Sequence, residues 1–389
     1  MQNTNNQTDH KHQDWQPEHW QWLAFTELNL RFSQSRQLIQ RWPDIGELFY
    51  EVDLSSLSHV LSDQQLTVWH ELRRVDLVRY LQKQYRWLQQ HPAQLITWHD
   101  ARFPASLKQI EDCPGWLWVQ GKAQLLHDPA VSMVGGRRAS PSGLALAREY
   151  GQSLASAGLT IISGLALGID GASHQGALDA GGDTIAVLGS GLADIYPARH
   201  QYLAAEIVNK GGALVSPWPL FLAARPHQFP VRNSIVSGLS LGVLVVEAAP
   251  KSGSLITAKL ALEQGREVFA LPSSAHNRQA QGSLGLIRDG ACLVYSPQQI
   301  IAELAPMLTG LTGVLTPDMR TSPEDAEAIE QHLSPQLQQL LNQLGYDPLP
   351  VDIICQQLAL PYAEVATLLM ELTLLGYVAE AEQGFERIR

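Results

Sequence analysis

Residues 130–170 read AVSMVGGRRASPSGLALAREYGQSLASAGLTIISGLALGID, and this stretch decides the fold. The apolar run 130–134 predicts a buried strand that ends at a pair of glycines. A helical segment at 143–157 follows, and residues 159–162 predict a second strand before another short glycine loop. Strand, helix and strand in this order predict one unit of a parallel sheet.

The same alternation continues along the chain after a short strand at 117–119. Residues 243–247 are almost wholly apolar, as in a strand that is buried on both faces of its sheet. The spacing predicts an α/β fold with a Rossmann-like, doubly wound and mostly parallel sheet. The other predicted helices are 170–179, 202–209 and 255–264, and the other predicted strands are 184–188, 213–216, 267–271 and 292–294.

The segments on either side of this sheet differ from it in character. Residues 1–14 are polar and predicted to be disordered, and residues 15–92 show the apolar spacing of a helical (SAM/HhH-like) domain. The Rossmann-like domain is assigned to residues 93–304. Residues 305–330, with several prolines and glycines, predict a linker. Three short helices and a hairpin within 331–389 predict a winged-helix-like domain.

Length and composition exclude several classes of protein. The 389 residues predict two or three domains, and 45% hydrophobic with 17% charged residues fit a globular chain. There is no apolar run of about 18 residues and no signal or transit sequence, so we expect no membrane association and a cytoplasmic location. Three separated cysteines argue against disulfides and against a cysteine-rich zinc site. No metal ion and no cofactor is predicted.

Charge is divided unevenly along the chain. The net charge of −11, from 27 basic and 38 acidic residues, disfavours a chain-wide grip on nucleic acid. Residues 225–291 are nevertheless net positive, with seven basic and four acidic residues. Residues 331–389 carry two basic and seven acidic residues, so protein contact or an accessory role is more plausible there than DNA binding.

Three short glycine or serine loops follow predicted strands and precede helices, at 135–140, 163–168 and 251–254. In a parallel sheet such loops meet at the carboxyl edge, where the N–H groups of helix N-termini bind anions. Each loop alone is equally compatible with an ordinary turn and a helix cap. Together with Arg137 and Arg232, the three loops predict a site for a polyphosphate or a nucleic-acid backbone.

Some residues also admit a catalytic interpretation. Asp170 and His174 lie four apart on one helix face, which suits acid–base chemistry, although an aspartate at this position is more often only an N-cap. Glu247, at a strand end, is placed to act as a base or ribose ligand, or to hydrogen-bond a neighbouring loop. The dinucleotide and P-loop fingerprints are both missing, which disfavours ordinary NAD and ATP sites.

Six ordered segments carry a more specific pattern. They are VGGRRAS (134–140), ISGLALGID (162–170), AVLGSG (186–191), IYP (195–197), FPVRN (229–233) and EAAPKSGSLITA (247–258). Together they resemble the DNA processing protein A family, also called DprA or Smf, over about residues 98–295. The flanking helical and winged-helix-like segments are similar to that family's optional domains.

The resemblance implies a non-enzymatic protein that binds single-stranded DNA and forms a homodimer through its Rossmann-like domain. It also implies that the protein protects incoming strands and loads a RecA-type recombinase during natural transformation. Arg137 is implied as the main phosphate ligand. The predicted DNA- and phosphate-binding residues are Gly135, Arg137, Arg138, Ser140, Ser163, Gly164, Gly168, Asp170, Arg232, Asn233, Lys251, Ser252, Gly253, Ser254 and Thr257.

Five positions depart from the family pattern: Gly136, Pro217, Ser234, Ser273 and Leu284. Ser234 stands where the family has a second arginine after Asn233. Loss of that arginine removes a charge-assisted phosphate contact, so we expect weaker DNA binding unless Arg138 or Arg225 supplies the charge.

Two other functions stay open at the level of sequence. Related α/β folds include nucleotide phosphoribohydrolases, whose catalytic region Glu247 and the following loop resemble, although Pro250-Lys251-Ser252-Gly253 replaces their Pro-Gly-Gly. The other open function is a nucleotide or second-messenger sensor that uses the same loops, with the C-terminal domain as its output.

Overall fold

The structure, a computed structural model, describes residues 17–308, 333–345, 348–381 and 384–388. The predicted disordered segment 1–14 and residues 309–330 of the predicted linker lie outside these ranges. The chain separates into two compact units, Met1–His91 and Pro92–Arg389. Within the described ranges, no single helix is both long and apolar enough to cross a membrane.

The described part of the first unit is helical. Asp44 and Ser62 are N-caps whose side chains accept hydrogen bonds from backbone N–H groups of the following turn. The buried ring of Trp69 stacks on Phe49, with 4.5 Å between ring centroids, in the core of this unit. Its helices are α1 (Pro17–Glu27), α2 (Phe32–Arg41), α3 (Ile45–Tyr50), α4 (Leu54–Leu57), α5 (Asp63–Arg74), α6 (Leu77–Tyr80) and α7 (Gln82–Gln90).

In the second unit, nine strands of the described chain form one mixed sheet in the order β1-β2-β6-β5-β4-β3-β7-β8-β9. The strands from β3 to β9 run parallel to one another, whereas β2 pairs antiparallel with both β1 and β6. They are β1 (Ala93–Thr97), β2 (Trp116–Gly121), β3 (Ala130–Val134), β4 (Thr160–Ser163), β5 (Thr184–Val187), β6 (Ala213–Ser216), β7 (Gly242–Val245), β8 (Glu267–Ala270) and β9 (Cys292–Leu293).

Helices connect the parallel strands, so the predicted doubly wound α/β fold is confirmed. The edge strand β1 and three helices were not predicted: α12 (Gln228–Gly238), α14 (Gln281–Arg288) and α15 (Pro297–Leu308). Helix α12 is buried on nearly all sides and therefore lacks an amphipathic pattern. Helix α15 continues four residues into the predicted linker. The helices that accompany the nine-stranded sheet are α8 (Ala105–Lys108), α9 (Pro141–Ser156), α10 (Ile169–Asp179), α11 (Gln201–Asn209), α12 (Gln228–Gly238), α13 (Ser254–Glu263), α14 (Gln281–Arg288) and α15 (Pro297–Leu308).

The predicted winged helix is also confirmed. Leu349 bridges to Phe385, which adds a third backbone segment to the terminal hairpin, and Leu340, Ile354 and Leu372 are buried in the small core. The elements are α16 (Pro335–Gln343), α17 (Val351–Leu358), α18 (Tyr362–Leu374), β10 (Val378–Ala381) and β11 (Gly384–Arg387).

The hairpin of this domain contacts the first turn of α9. The backbone N–H of Ser142 donates to the Glu386 carboxylate at 2.7 Å, and the Glu386 residue is only 1% exposed. A carboxylate is favoured at this position because the N-terminus of a helix carries partial positive charge.

Helices α9 and α10 approach each other closely because both carry glycine at the contact. A Cβ at Gly151 would lie 2.6 Å from the carbonyl oxygen of Ser173, and a Cβ at Gly176 would overlap the carbonyl oxygen of Arg148. Both neighbouring atoms are backbone and cannot rotate away. The close contact holds α10, and with it the loop after β4, against the sheet.

We predict that Gly176→Ala lowers the free energy of unfolding by about 1–3 kcal/mol, the usual cost of overpacking a tight contact. Gly285→Ala is the matched control, because Gly285 is also helical but has open space around its missing Cβ. The control should raise stability by about 0.5–1 kcal/mol through helix propensity. Urea denaturation of both variants checks this, and an equal response would contradict the packing argument.

Candidate nucleic-acid interface

A small pocket of about 40 Å³ opens at the carboxyl edge of the parallel strands. The loops after β3, β4 and β5 and the first turn of α12 each contribute to its wall. Its lining residues are Arg137, Gly164, Ala166, Leu167, Tyr196, Pro197 and Phe229. The volume corresponds to a few water molecules, so the pocket accommodates one phosphate-sized group.

A cation and two aromatic rings form the outer part of this pocket. The exposed guanidinium of Arg137 lies over the Phe229 ring, with 5.4 Å from Cζ to the ring centroid. The Tyr196 ring is tilted against Phe229 at 5.6 Å and is 47% exposed. A guanidinium presents a planar set of donors that fits phosphate oxygens, and aromatic faces stack on bases.

Arg232 lies beneath the pocket and not in its lining. The residue is 4% exposed, and its Nη1 donates to the carbonyl oxygen of Val187 at 2.7 Å. Its guanidinium occupies the space where a Cβ at Gly164 would stand. Burial lowers the pKa of Arg232 to about 10, so the side chain stays charged at neutral pH. A positive charge is therefore fixed under the pocket, where solvent ions screen it less than at the surface.

Asp170 organises the loop after β4. Its Oδ2 accepts hydrogen bonds from the backbone N–H groups of Gly164 at 3.1 Å and Ala166 at 3.3 Å. Burial raises the pKa of Asp170, and the charge of Arg232 opposes that rise. The loop amides predicted to bind phosphate are thus already paired with a carboxylate. Ser163 is also structural, since its buried hydroxyl donates to the carbonyl oxygen of Met133.

Glu247 organises the loop after β3 in a similar way. Its carboxylate accepts from the backbone N–H of Ser140 at 2.8 Å, from the Ser140 hydroxyl at 2.5 Å and from the Asn277 amide at 3.3 Å. Its own carbonyl oxygen accepts from Gly136 N–H at 2.7 Å. Ser140 also caps α9. Of the two interpretations of Glu247, the structure shows the hydrogen bond to a neighbouring loop.

Two of the glycines that were predicted to bind phosphate lie where neighbouring loops contact each other. A Cβ at Gly135 would lie 2.8 Å from the Glu247 carbonyl oxygen and would overlap the Ile169 side chain. Gly168 has a φ of +82°, and a Cβ there would lie 2.9 Å from the Arg137 carbonyl group. Glycine at both positions is required by contacts within the protein.

The remaining predicted residues lie outside the pocket lining. In the third loop Lys251 and Gly253 are exposed, Ser252 shares a 2.6 Å hydroxyl contact with Ser254, and Thr257 is buried. Arg138 is exposed and Asn233 is partly buried.

Ser234, where a lost phosphate contact was expected, is buried on α12. Its hydroxyl donates to the carbonyl oxygen of Val231 at 2.7 Å, and it lines no part of the pocket. Gly136 is another departure from the family pattern. A Cβ at Gly136 would lie 3.5 Å from the Glu247 carbonyl oxygen, which is an ordinary contact distance.

Sequence reasoning missed the aromatic wall of the pocket. Tyr196 and Phe229 lie in quoted motifs, but neither was assigned to the site. The signal available in the sequence was the position of each aromatic residue. Tyr196 directly precedes Pro197 in the loop after β5, and Phe229 lies close to Arg232 at the start of α12. A Cβ at Gly189 would lie 2.8 Å from the Phe229 ring, so this glycine makes room for the wall.

His174 has a structural role. Its Nδ1–H donates to the hydroxyl of Thr184 at 2.7 Å, and that hydroxyl donates to the carbonyl oxygen of Ile161. The ring is fully buried, and burial lowers its pKa from 6.5 to about 3. Asp170 and His174 therefore have separate partners, and the geometry gives no support to an acid–base pair.

The fold and the pocket together define a Rossmann-like protein with a cationic, aromatic-walled pocket and an appended winged helix. A family model described as "DNA recombination-mediator protein A" matches residues 94–305, and one described as "DprA winged helix domain" matches residues 324–384. The chain therefore belongs to the DNA processing protein A (DprA/Smf) family, as its motifs predicted.

Individual relatives agree with this assignment. Protein Smf of Escherichia coli is 43% identical over 305 residues, which cover 78% of this chain and 79% of the relative. DNA processing protein DprA of Streptococcus pneumoniae is 43% identical over 204 residues, 52% of this chain and 72% of that protein. The X-ray structure of the S. pneumoniae protein covers 72% of this chain and 96% of its own, with a TM-score of 0.62 and 33% identity.

We predict that His174 makes the protein less stable in mild acid. The unfolded chain binds a proton at this residue below about pH 6.5 and the folded chain does not until about pH 3, so stability falls as the pH falls between these values. At pH 5.5 the loss is about 1.4 kcal/mol. Urea denaturation at pH 7.5 and 5.5 checks this against His174→Asn, which should lack that part of the pH dependence. The same pH dependence in both proteins would contradict the assignment.

Proposed function

We propose that this chain binds single-stranded DNA at the Arg137 pocket and loads a RecA-type recombinase onto it during natural transformation. The observation that carries the proposal is the exposed guanidinium of Arg137 over Phe229, with the buried charge of Arg232 beneath. Cations that follow the backbone, together with aromatic rings that stack on bases, are the combination used by proteins that bind single strands.

The shape of the site favours a single strand over a duplex. The Tyr196 ring is exposed at the edge of this pocket, and a base stacks on such a face only when it is unstacked from its neighbours. Bases in a duplex are already stacked on both faces. The site therefore suits strands whose bases turn out towards the protein.

The contacts of the candidate catalytic residues support a binding function without catalysis. Both carboxylate oxygens of Glu247 accept hydrogen bonds from the protein, and His174 is buried against Thr184. A phosphoribohydrolase-like reaction needs a base that reaches a ligand, and neither residue lines the pocket. This geometry gives the hydrolytic alternative no support.

The proposal includes two partners besides DNA. The family described as recombination mediators supports a recombinase as the recipient of the bound strand. A homodimer formed through the Rossmann-like unit would hold two Arg137 pockets on one assembly, and two linked sites bind one strand more tightly than either alone.

We predict that Arg137→Ala raises the Kd for a labelled oligo-dT of 20 nucleotides roughly ten- to hundredfold, the effect of losing one charge-assisted contact. The dependence of log K on log salt should become shallower by about 0.7. Fluorescence anisotropy over a salt series measures both quantities.

Arg288→Ala is the control for net charge, because its side chain is 82% exposed and lies outside the pocket. Arg232→Ala is unsuitable, since it removes a buried charge that fills the space beside Gly164. Equal affinities of Arg137→Ala and the wild type would reject the pocket, and no binding by the wild type at low salt would reject the function.

Loading is tested separately with a purified RecA-type recombinase on single strands coated with single-strand-binding protein. We expect the wild-type chain to shorten the lag before the recombinase hydrolyses ATP, and Arg137→Ala to lose most of this effect. An unchanged lag with a wild-type chain that binds DNA would reject loading while leaving strand binding in place.

A further inference from the structure

We infer that a groove beside the Arg137 pocket carries the next nucleotides of a bound strand, with Tyr202 as a stacking platform and Arg199 as a phosphate ligand. The inference rests on the proposed function and extends it. The pocket of about 40 Å³ accommodates one phosphate-sized group, so a longer strand has to continue over the neighbouring surface. The groove measures about 620 Å³, within the roughly 300–1,000 Å³ of ordinary ligand sites.

The groove is continuous with the pocket along two separate segments of the chain. After β4, Gly164, Ala166 and Leu167 contribute to the pocket and Gly168 begins the groove. After β5, Tyr196 and Pro197 contribute to the pocket, and Arg199 and Tyr202 contribute to the groove. The groove therefore lies next to the pocket, and a strand held by the Arg137 guanidinium can continue into it.

The walls of the groove carry charges that suit a phosphate backbone. Arg199 is exposed and makes no ion pair with the residues that the structure describes. Arg148, on α9, uses its Nε to bind Asp179, and its remaining guanidinium donors stay available. The acidic wall residue Glu206 is paired with Lys210 at 2.8 Å, which offsets its negative charge.

The groove also provides a flat ring and a shallow floor. Tyr202 is 89% exposed, so its ring is open to a stacking base. The floor is the start of α10, where Gly168 and Ala172 have small or no side chains. A strand can thus lie close to the helix backbone while a base stacks on Tyr202.

The test compares full-length variants by fluorescence anisotropy with dT20 and with dT3, which is too short to occupy pocket and groove together. Tyr202→Ala should raise the Kd for dT20 about tenfold, within the range for one stacked base, while Tyr202→Phe keeps wild-type affinity. Arg199→Ala should make the salt dependence shallower by about 0.7. Binding of dT3 should not change in either variant.

Tyr295→Ala is the matched control, because Tyr295 is 72% exposed and lines neither the pocket nor the groove. Photocrosslinking of iodouridine-substituted dT20 should label Tyr202 and leave Tyr295 unlabelled. If the wild type binds dT20 and Arg137→Ala weakens it, but the Tyr202 and Arg199 variants bind normally, the groove is not the strand path. A change in sedimentation mass without a change in DNA affinity would instead assign the groove to a protein contact and overturn the inference.

Discussion

A buried positive charge is the constraint on which the carboxyl edge of the parallel sheet depends. Arg232 is 4% exposed, and burying a guanidinium is costly unless polar partners surround it. The carbonyl oxygen of Val187 binds it directly, and the nearby Asp170 carboxylate favours its charged form. The same Asp170 holds the amides of the loop after β4, and Gly164 is glycine because the guanidinium occupies the space beside it. The charge of Arg232 therefore explains the Asp170 contacts in the loop after β4, the glycine at position 164 and the positive potential of the pocket above.

The periodicity of the sequence was enough to predict the parallel strands, because each of them is a local run of apolar residues, whereas the buried helix α12 has no such pattern and was missed. The roles of the loop residues were harder to predict. Gly135 and Gly168 were expected to admit a phosphate, but they admit neighbouring backbone, and Glu247 contacts Ser140 across 107 positions. Such contacts connect distant parts of the chain, and no local spacing reveals them. The same reason explains why Phe229 was missed, since its place beside Arg137 appears only in the folded chain.

The winged helix differs in charge from the rest of the second unit. No lysine or arginine occurs from residue 321 to 386, and α18, the position of a recognition helix in DNA-binding winged helices, exposes Met370 and Leu374. Such a surface gains nothing from the release of counterions that drives binding to a phosphate backbone. The winged helix is therefore chemically less suited to a phosphate backbone than the sheet edge, where Arg137 is exposed and Arg232 is buried.

The contact between Glu386 and the Ser142 amide places the last hairpin of the chain at the same helix end that borders the loop after β3. The carboxylate is an intramolecular anion held at high effective concentration by its own fold. An external phosphate can bind the Ser142 N–H only after the Glu386 carboxylate and its hairpin have been displaced. The free energy of that displacement is subtracted from the binding free energy of the phosphate. Thermodynamic linkage makes the effect reciprocal, and a ligand that pulls the winged helix away would strengthen anion binding by the same factor. The Glu386 carboxylate is thereby a tethered occupant of the N-terminus of α9.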